Sequence, residues 1–307
     1  MHVQDARSSS DLPVGQRSVS LTGDLGISRS RASLPERVRR VDEGRSPAKS
    51  GCETAAVSVV LAARTGSGLV VATDSRTLVY SSLGHPWAFD SECKLVTMKM
   101  RPLLAAATGA TRVGPWSFAE TVRSLEGRIP PGELFDGAAD ALARHLAQAF
   151  DAASPSPSSA LQVLLAGYED GSARTCTVVL GAGEEPSMRL HDAAFGLAWI
   201  GETTALDRVV NGIDRRLAEE LEGVLGGAGR LRDERAAEAL RSAAVAFPLD
   251  AMPLEDAISL VVSLVDLAKT YHRMLPGVST VGGATVVGVL EPDGTASVRR
   301  LGAATTS

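Results

Sequence analysis

Aromatic residues are scarce in this chain, 4% of 307 residues, so any core has to be assembled mainly from Ala, Val and Leu. Cysteine is scarce too. Cys52, Cys93 and Cys176 are an odd number without paired spacing, which argues against a disulfide framework and fits a reducing compartment. They make a poor zinc site, since no Cys-x-x-Cys and no clustered histidine accompanies them. No apolar run reaches the roughly 20 residues of a membrane helix, and the N-terminus lacks the apolar stretch of a secretory signal. Nucleotide, flavin and metal motifs are missing, so no cofactor and no metal are expected. The formal net charge of -5 gives no electrostatic reason to expect nucleic acid. A cytoplasmic protein with neither a membrane nor a nucleic-acid partner is the expectation.

What is present divides in two. Residues 1–53 are rich in Ser, Arg, Gly, Asp and Pro and poor in large apolar side chains. Such a segment buries too little surface to offset the entropy of ordering it. It reads as a disordered leader or propeptide. From Thr54 to the end, residues 54–307 read as one domain. Val57 to Leu61 and Leu69 to Thr73 form an expected hairpin around Gly66 and Gly68. Lys94 to Met98 and Leu103 to Ala107 form a second. Helical spacing follows in Trp116, Phe118, Val122 and Leu125, and again in Leu134, Ala138, Leu142, Leu146 and Phe150. Strands return at Leu161 to Ala166, Thr175 to Leu180 and Leu197 to Ile200. Helices are expected over Leu206 to Leu225, Asp233 to Ala246 and Leu254 to Leu275. A hairpin of Ala284 to Leu290 and Ala296 to Leu301 closes the chain. Grouped strands and grouped helices predict an α+β fold. The near-continuous apolar strands predict two antiparallel sheets between helix layers, a four-layer αββα sandwich.

The informative stretch runs from Thr54 through Gly68-Leu69-Val70-Val71-Ala72-Thr73-Asp74-Ser75-Arg76 to Lys94-Leu95 and then Ala107-Thr108-Gly109. This order resembles proteasome β-subunits and their bacterial relatives, the threonine peptidases among N-terminal-nucleophile hydrolases. Ile200-Gly201 and Val281-Gly282-Gly283 extend the resemblance weakly toward the C-terminus. The resemblance implies that Thr54 is the nucleophile, exposed by self-cleavage, with Asp74 the buried carboxylate and Lys94 the catalytic lysine. Gly109 then supplies an oxyanion-holding N–H, and Thr280 is an accessory hydroxyl. It further implies a peptide or unfolded-protein substrate and a homo-oligomeric ring, with any ATPase partner unknown.

The chemistry needs these types. A threonine hydroxyl is a weak nucleophile until a base takes its proton. A freed α-amine, with an ordinary pKa near 7.7–8.0, suits that role at neutral pH. A lysine ammonium lowers the pKa of both, and a carboxylate keeps the lysine charged.

Departures from the family pattern are visible. Glu53, not Gly, precedes Thr54, and the first hairpin is about four residues longer than usual. Glu202 stands where the family has a serine, and Gly277 where it has a carboxylate. Cys52 is a rival nucleophile. A small-amide amidase and an uncut, inactive relative with a structural or binding role stay open beside the peptidase. His85, His145, His191 and His272 read as structural or exposed.

Overall fold

The computed structural model describes residues 58–80, 85–98, 101–130, 132–191, 193–224, 238, 242 and 244–301. The leader expected over residues 1–53, Cys52, Thr54 and most of the helix expected from Asp233 to Ala246 lie outside these described residues.

The chain opens with six strands: β1 (Val59–Arg64), β2 (Leu69–Asp74), β3 (Thr77–Tyr80), β4 (Pro86–Phe89), β5 (Leu95–Met98) and β6 (Leu103–Gly109). The short β7 (Arg112–Val113) and β8 (Trp116–Ser117) lead into helices α1 (Phe118–Leu125) and α2 (Phe135–Ala152). Strands β9 (Ala160–Glu169), β10 (Ser172–Gly181), β11 (Ser187–His191) and β12 (Gly196–Gly201) follow. A helical turn α3 (Thr204–Leu206), a π-turn (Asp207–Asn211), α4 (Arg215–Val224), α5 (Leu254–Met274) and the hairpin β13 (Thr285–Leu290) and β14 (Ala296–Leu301) complete it.

The fold is α+β with antiparallel sheets. One five-stranded sheet has the order β12-β1-β2-β13-β14 and another the order β11-β10-β9-β6-β5. Strand alternation sorts side chains into three apolar cores. On β1, Val59, Leu61 and Ala63 pack with Ala257, Val261, Val265 and Ala268 of α5. The intervening Val60 and Ala62 pack instead with Leu104, Ala106 and Leu164 of the other sheet. On β6 the alternation repeats, with Ala105 and Ala107 turned to Val122 of α1 and to Leu142, Leu146 and Phe150 of α2. Buried on both faces, these strands need no polar alternation, and small residues let the layers approach.

Three features differ from the sequence expectation. The segment expected as one helix from Leu206 to Leu225 breaks at Gly212, whose φ is +75°. Asp214 restarts it, accepting the Leu217 N–H at 2.8 Å, as N-terminal caps do. The ribbon β3–β4, with Trp87 and Phe89 exposed, was not expected. Nor was β11, which pairs with β10. Among the described residues no helix is long and apolar enough to cross a membrane, and no group of three or more His, Cys, Asp or Glu is arranged to hold a metal.

Candidate active site

The site assembles where β1 begins and β2 ends. The hairpin turns tightly, Thr65 N–H donating to Gly68 O at 3.0 Å, and its register pairs Val60 with Thr73. Asp74 therefore lies across from Val59, whose N–H donates to its Oδ1 at 3.2 Å. Ser58, one residue earlier, sits at the mouth of the hairpin. Lys94 enters from the other sheet, immediately before β5.

Asp74 is fully buried and its carboxylate is surrounded by donors. Oδ2 accepts the Arg76 N–H at 3.2 Å and the Gly282 N–H at 3.0 Å, and Oδ1 accepts from Lys94 Nζ at 3.3 Å. Lys94 is buried as completely, with 0% of either side chain exposed in the pair. Its Nζ also donates to Ser58 Oγ and to Arg76 O. Three acceptors for three N–H bonds is the arrangement an ammonium requires. Burial pushes Lys94 below the ordinary lysine value, and the Asp74 carboxylate opposes that shift. The result is a buried cation held against both a carboxylate and a hydroxyl.

Ser58 is fixed from its backbone as well. Its carbonyl accepts the Glu202 N–H at 2.8 Å and the Thr108 hydroxyl at 3.2 Å. Its own Oγ lies 3.4 Å from Arg76 O. Gly201, at φ +91°, passes so close that a Cβ there would overlap the Ser58 carbonyl oxygen. Below the site Arg76 and Asp90 form a bidentate pair at 2.7 and 2.9 Å, which holds Asp90 below the usual carboxylate range.

Of the residues singled out from sequence, the structure brings Asp74 and Lys94 into contact. Gly109 ends β6 at φ +95°, where a side chain would strike the Ala160 carbonyl, so packing alone calls for glycine there. Its neighbour Thr108 donates its hydroxyl to the Ser58 carbonyl. Thr280 faces His272, with Oγ1 at 3.2 Å from Nδ1. The hydroxyl on Lys94 belongs to Ser58, a residue the sequence reading missed. A signal was available: the tight turn at Gly66 fixes the hairpin register, and register puts Ser58 beside Asp74. Thr54 lies four residues earlier in the sequence, outside the described residues.

No protein-family model matches the chain, and no curated protein does. Similar solved structures include Anbu (ancestral beta-subunit) from Yersinia bercovieri, at 16% identity and TM-score 0.49, covering 80% of this chain and 88% of that one. Anbu from Hyphomicrobium sp. strain MC1 is similar at 15% identity and TM-score 0.48, covering 81% and 89%. A (Gly-1) mutant of Anbu from the same strain matches at 14% identity and TM-score 0.46. These findings correct the resemblance read from the sequence. The structures that match are Anbu proteins, proteasome-like but a distinct family, and membership of the proteasome β-subunit family is withdrawn.

Proposed function

We propose that this chain is an amide-bond hydrolase acting on peptides, with the Ser58 hydroxyl as its nucleophile. The observation that supports it is the single contact set of Lys94 Nζ, hydrogen-bonded to Ser58 Oγ and Asp74 Oδ1 with all three side chains buried.

The chemistry proceeds in two stages. In the first, Ser58 Oγ attacks the carbonyl carbon of the peptide bond that precedes it, and the C–N bond breaks as a C–O ester bond forms. Water then hydrolyses the ester, releasing residues 1–57 as a propeptide and freeing the Ser58 amine. In the second stage the same Oγ attacks a substrate amide. The freed amine takes the hydroxyl proton, while the Lys94 charge lowers the pKa of both groups and Asp74 holds Lys94 in place. The Gly109 N–H is proposed as an oxyanion donor, a large contribution in acyl transfer. The three apolar cores support reading the layers as helix, sheet, sheet, helix, with the site at one end of the two sheets.

Full burial of Ser58 favours a second reading, an uncut chain in which the same residues are purely structural. Hydrolysis of fluorogenic peptides separates the two. The wild type and Thr54→Ala are expected to turn over substrate, and Ser58→Ala to lose at least about a thousandfold. Equal activity in Ser58→Ala and wild type removes Ser58 as the nucleophile, and no activity in either removes the hydrolase reading.

A further inference from the structure

Near the Lys94–Asp74 pair lies a second polar cluster, centred on a buried imidazole, that the proposed chemistry does not use. His272, on the last turn of α5, is 7% exposed. Its Nδ1 lies 3.2 Å from Thr280 Oγ1, and its Nε2 lies 3.7 Å from Glu202 Oε1. Both neighbours lead back to the reacting centre. The Glu202 N–H holds the Ser58 carbonyl at 2.8 Å. Thr280 belongs to the segment whose Gly282 N–H binds Asp74 Oδ2 at 3.0 Å and whose Gly282 O accepts the Ser75 N–H at 3.2 Å. Arg76 Nη1, donating to Ser279 O at 3.4 Å, ties down the same segment. Two arms therefore meet at one imidazole, the one from Asp74 through the Thr280 hydrogen bond and the one from Ser58 through an electrostatic approach of Glu202 too long for a hydrogen bond.

We propose that His272 is a positioning residue of this site: as the neutral imidazole it accepts the Thr280 hydroxyl hydrogen at Nδ1, points its Nε2–H at Glu202, and so keeps the segment around Gly282 locked on Asp74. The proposal rests on the hydrolase reading of Ser58 and deepens it. Protonation adds a hydrogen at Nδ1, which then can only donate. The Thr280 hydroxyl has to reverse from donor to acceptor, freeing its hydrogen for another partner, and a second cation appears near the carboxylate that orients Lys94. The charged groups acting on His272 are Glu202, just after β12, and Asp74, at the end of β2. The edge of the Tyr271 ring, at 5.6 Å between centroids, and the Thr280 hydroxyl also face it. Burial holds the imidazole below its ordinary value, while both carboxylates pull it upward. The neutral, positioning form therefore prevails at neutral pH and is lost as the medium is acidified.

The test combines two measurements on the full chain between roughly pH 5 and 8, the range in which histidine titrates. Histidine side-chain NMR follows the His272 titration. The rate of Ser58 acylation by a β-lactone probe, read by intact mass, follows the chemistry. The wild type is expected to show an acid limb in labelling whose midpoint matches that of His272. His272→Gln is expected to label about tenfold more slowly, as removal of an orienting partner does, and to lose the limb. Thr280→Ser should retain wild-type behaviour and Thr280→Val should copy His272→Gln. Glu202→Gln, which removes a raising charge, should move the His272 midpoint down. Thermal melts identify any variant that fails to fold. An unchanged acid limb in folded His272→Gln overturns the proposal. A wild type that never labels at Ser58 sinks the hydrolase reading instead, and the titration then decides: a His272 midpoint indifferent to Glu202→Gln and Thr280→Val overturns the positioning role, and one that moves supports it.

Discussion

At the scale of the residue, the decisive feature is a charge taken wholly out of water. Lys94 and Asp74 are each other's compensation, and removing one partner of a buried pair leaves the other stranded. Asp74→Asn is expected to cost about 3–5 kcal/mol in urea unfolding. Lys94→Met should cost less, because Asp74 keeps the N–H donors of Val59, Arg76 and Gly282. The lysine also sets a pH dependence. Its folded pKa lies below 10.5, so between that folded value and 10.5 the unfolded chain binds more protons. Stability of the wild type relative to Lys94→Met therefore rises with pH through this window. Equal slopes for the two proteins would contradict the buried-cation account. Cys176 offers a simpler check. Burial pushes its thiol up to about 11, so alkylation at neutral pH should spare it and modify the exposed Cys93.

At the scale of the element, the site depends on backbones that pass closer than side chains permit. Gly201→Ala puts a Cβ into the Ser58 carbonyl at a φ of +91° and is expected to cost more than 2 kcal/mol, roughly twice the strain of a left-handed residue alone. Gly183, at φ +73° with nothing near its missing Cβ, is the control and should lose only about 1–2 kcal/mol on the same change. Comparable losses, measured by urea unfolding, would mean that the close approach carries no weight. These elements also show what the sequence made legible. The hairpins β5–β6, β9–β10 and β13–β14 follow from short apolar runs bounded by turn residues, and α1, α2 and α5 from helical spacing. Asp74 and Lys94 were readable because each sits at a strand end beside a distinctive run. Ser58 was not, because small hydroxyl residues at a strand start look alike in sequence and Thr54 fits the resemblance as well. The apparent excess of about four residues in the first hairpin equals the separation of Thr54 from Ser58, which is the spacing expected if Ser58 takes the place assigned to Thr54. The Glu202–His272–Thr280 cluster was illegible for another reason. Its members lie far apart in the chain, and only the packing of α5 against the sheet of β1 and β12 joins them. The π-turn Asp207–Asn211 leaves no trace in periodicity.

At the scale of the whole molecule, three cores stack the layers and set the distance between strands β1, β2 and β6 at the site. Phe150, wholly buried and set edge-on to Trp116 with centroids 5.4 Å apart, anchors α2 to its sheet. Phe150→Ala should cost about 3–5 kcal/mol in denaturant unfolding. A loss under 1 kcal/mol would mean that this core is not continuous. The central claim joins that architecture to one hydroxyl, and the intact mass of the purified protein tests it most directly. A chain beginning at Ser58 is the predicted result. A chain beginning at Thr54, or a full-length chain that hydrolyses peptides while still uncut, would contradict it.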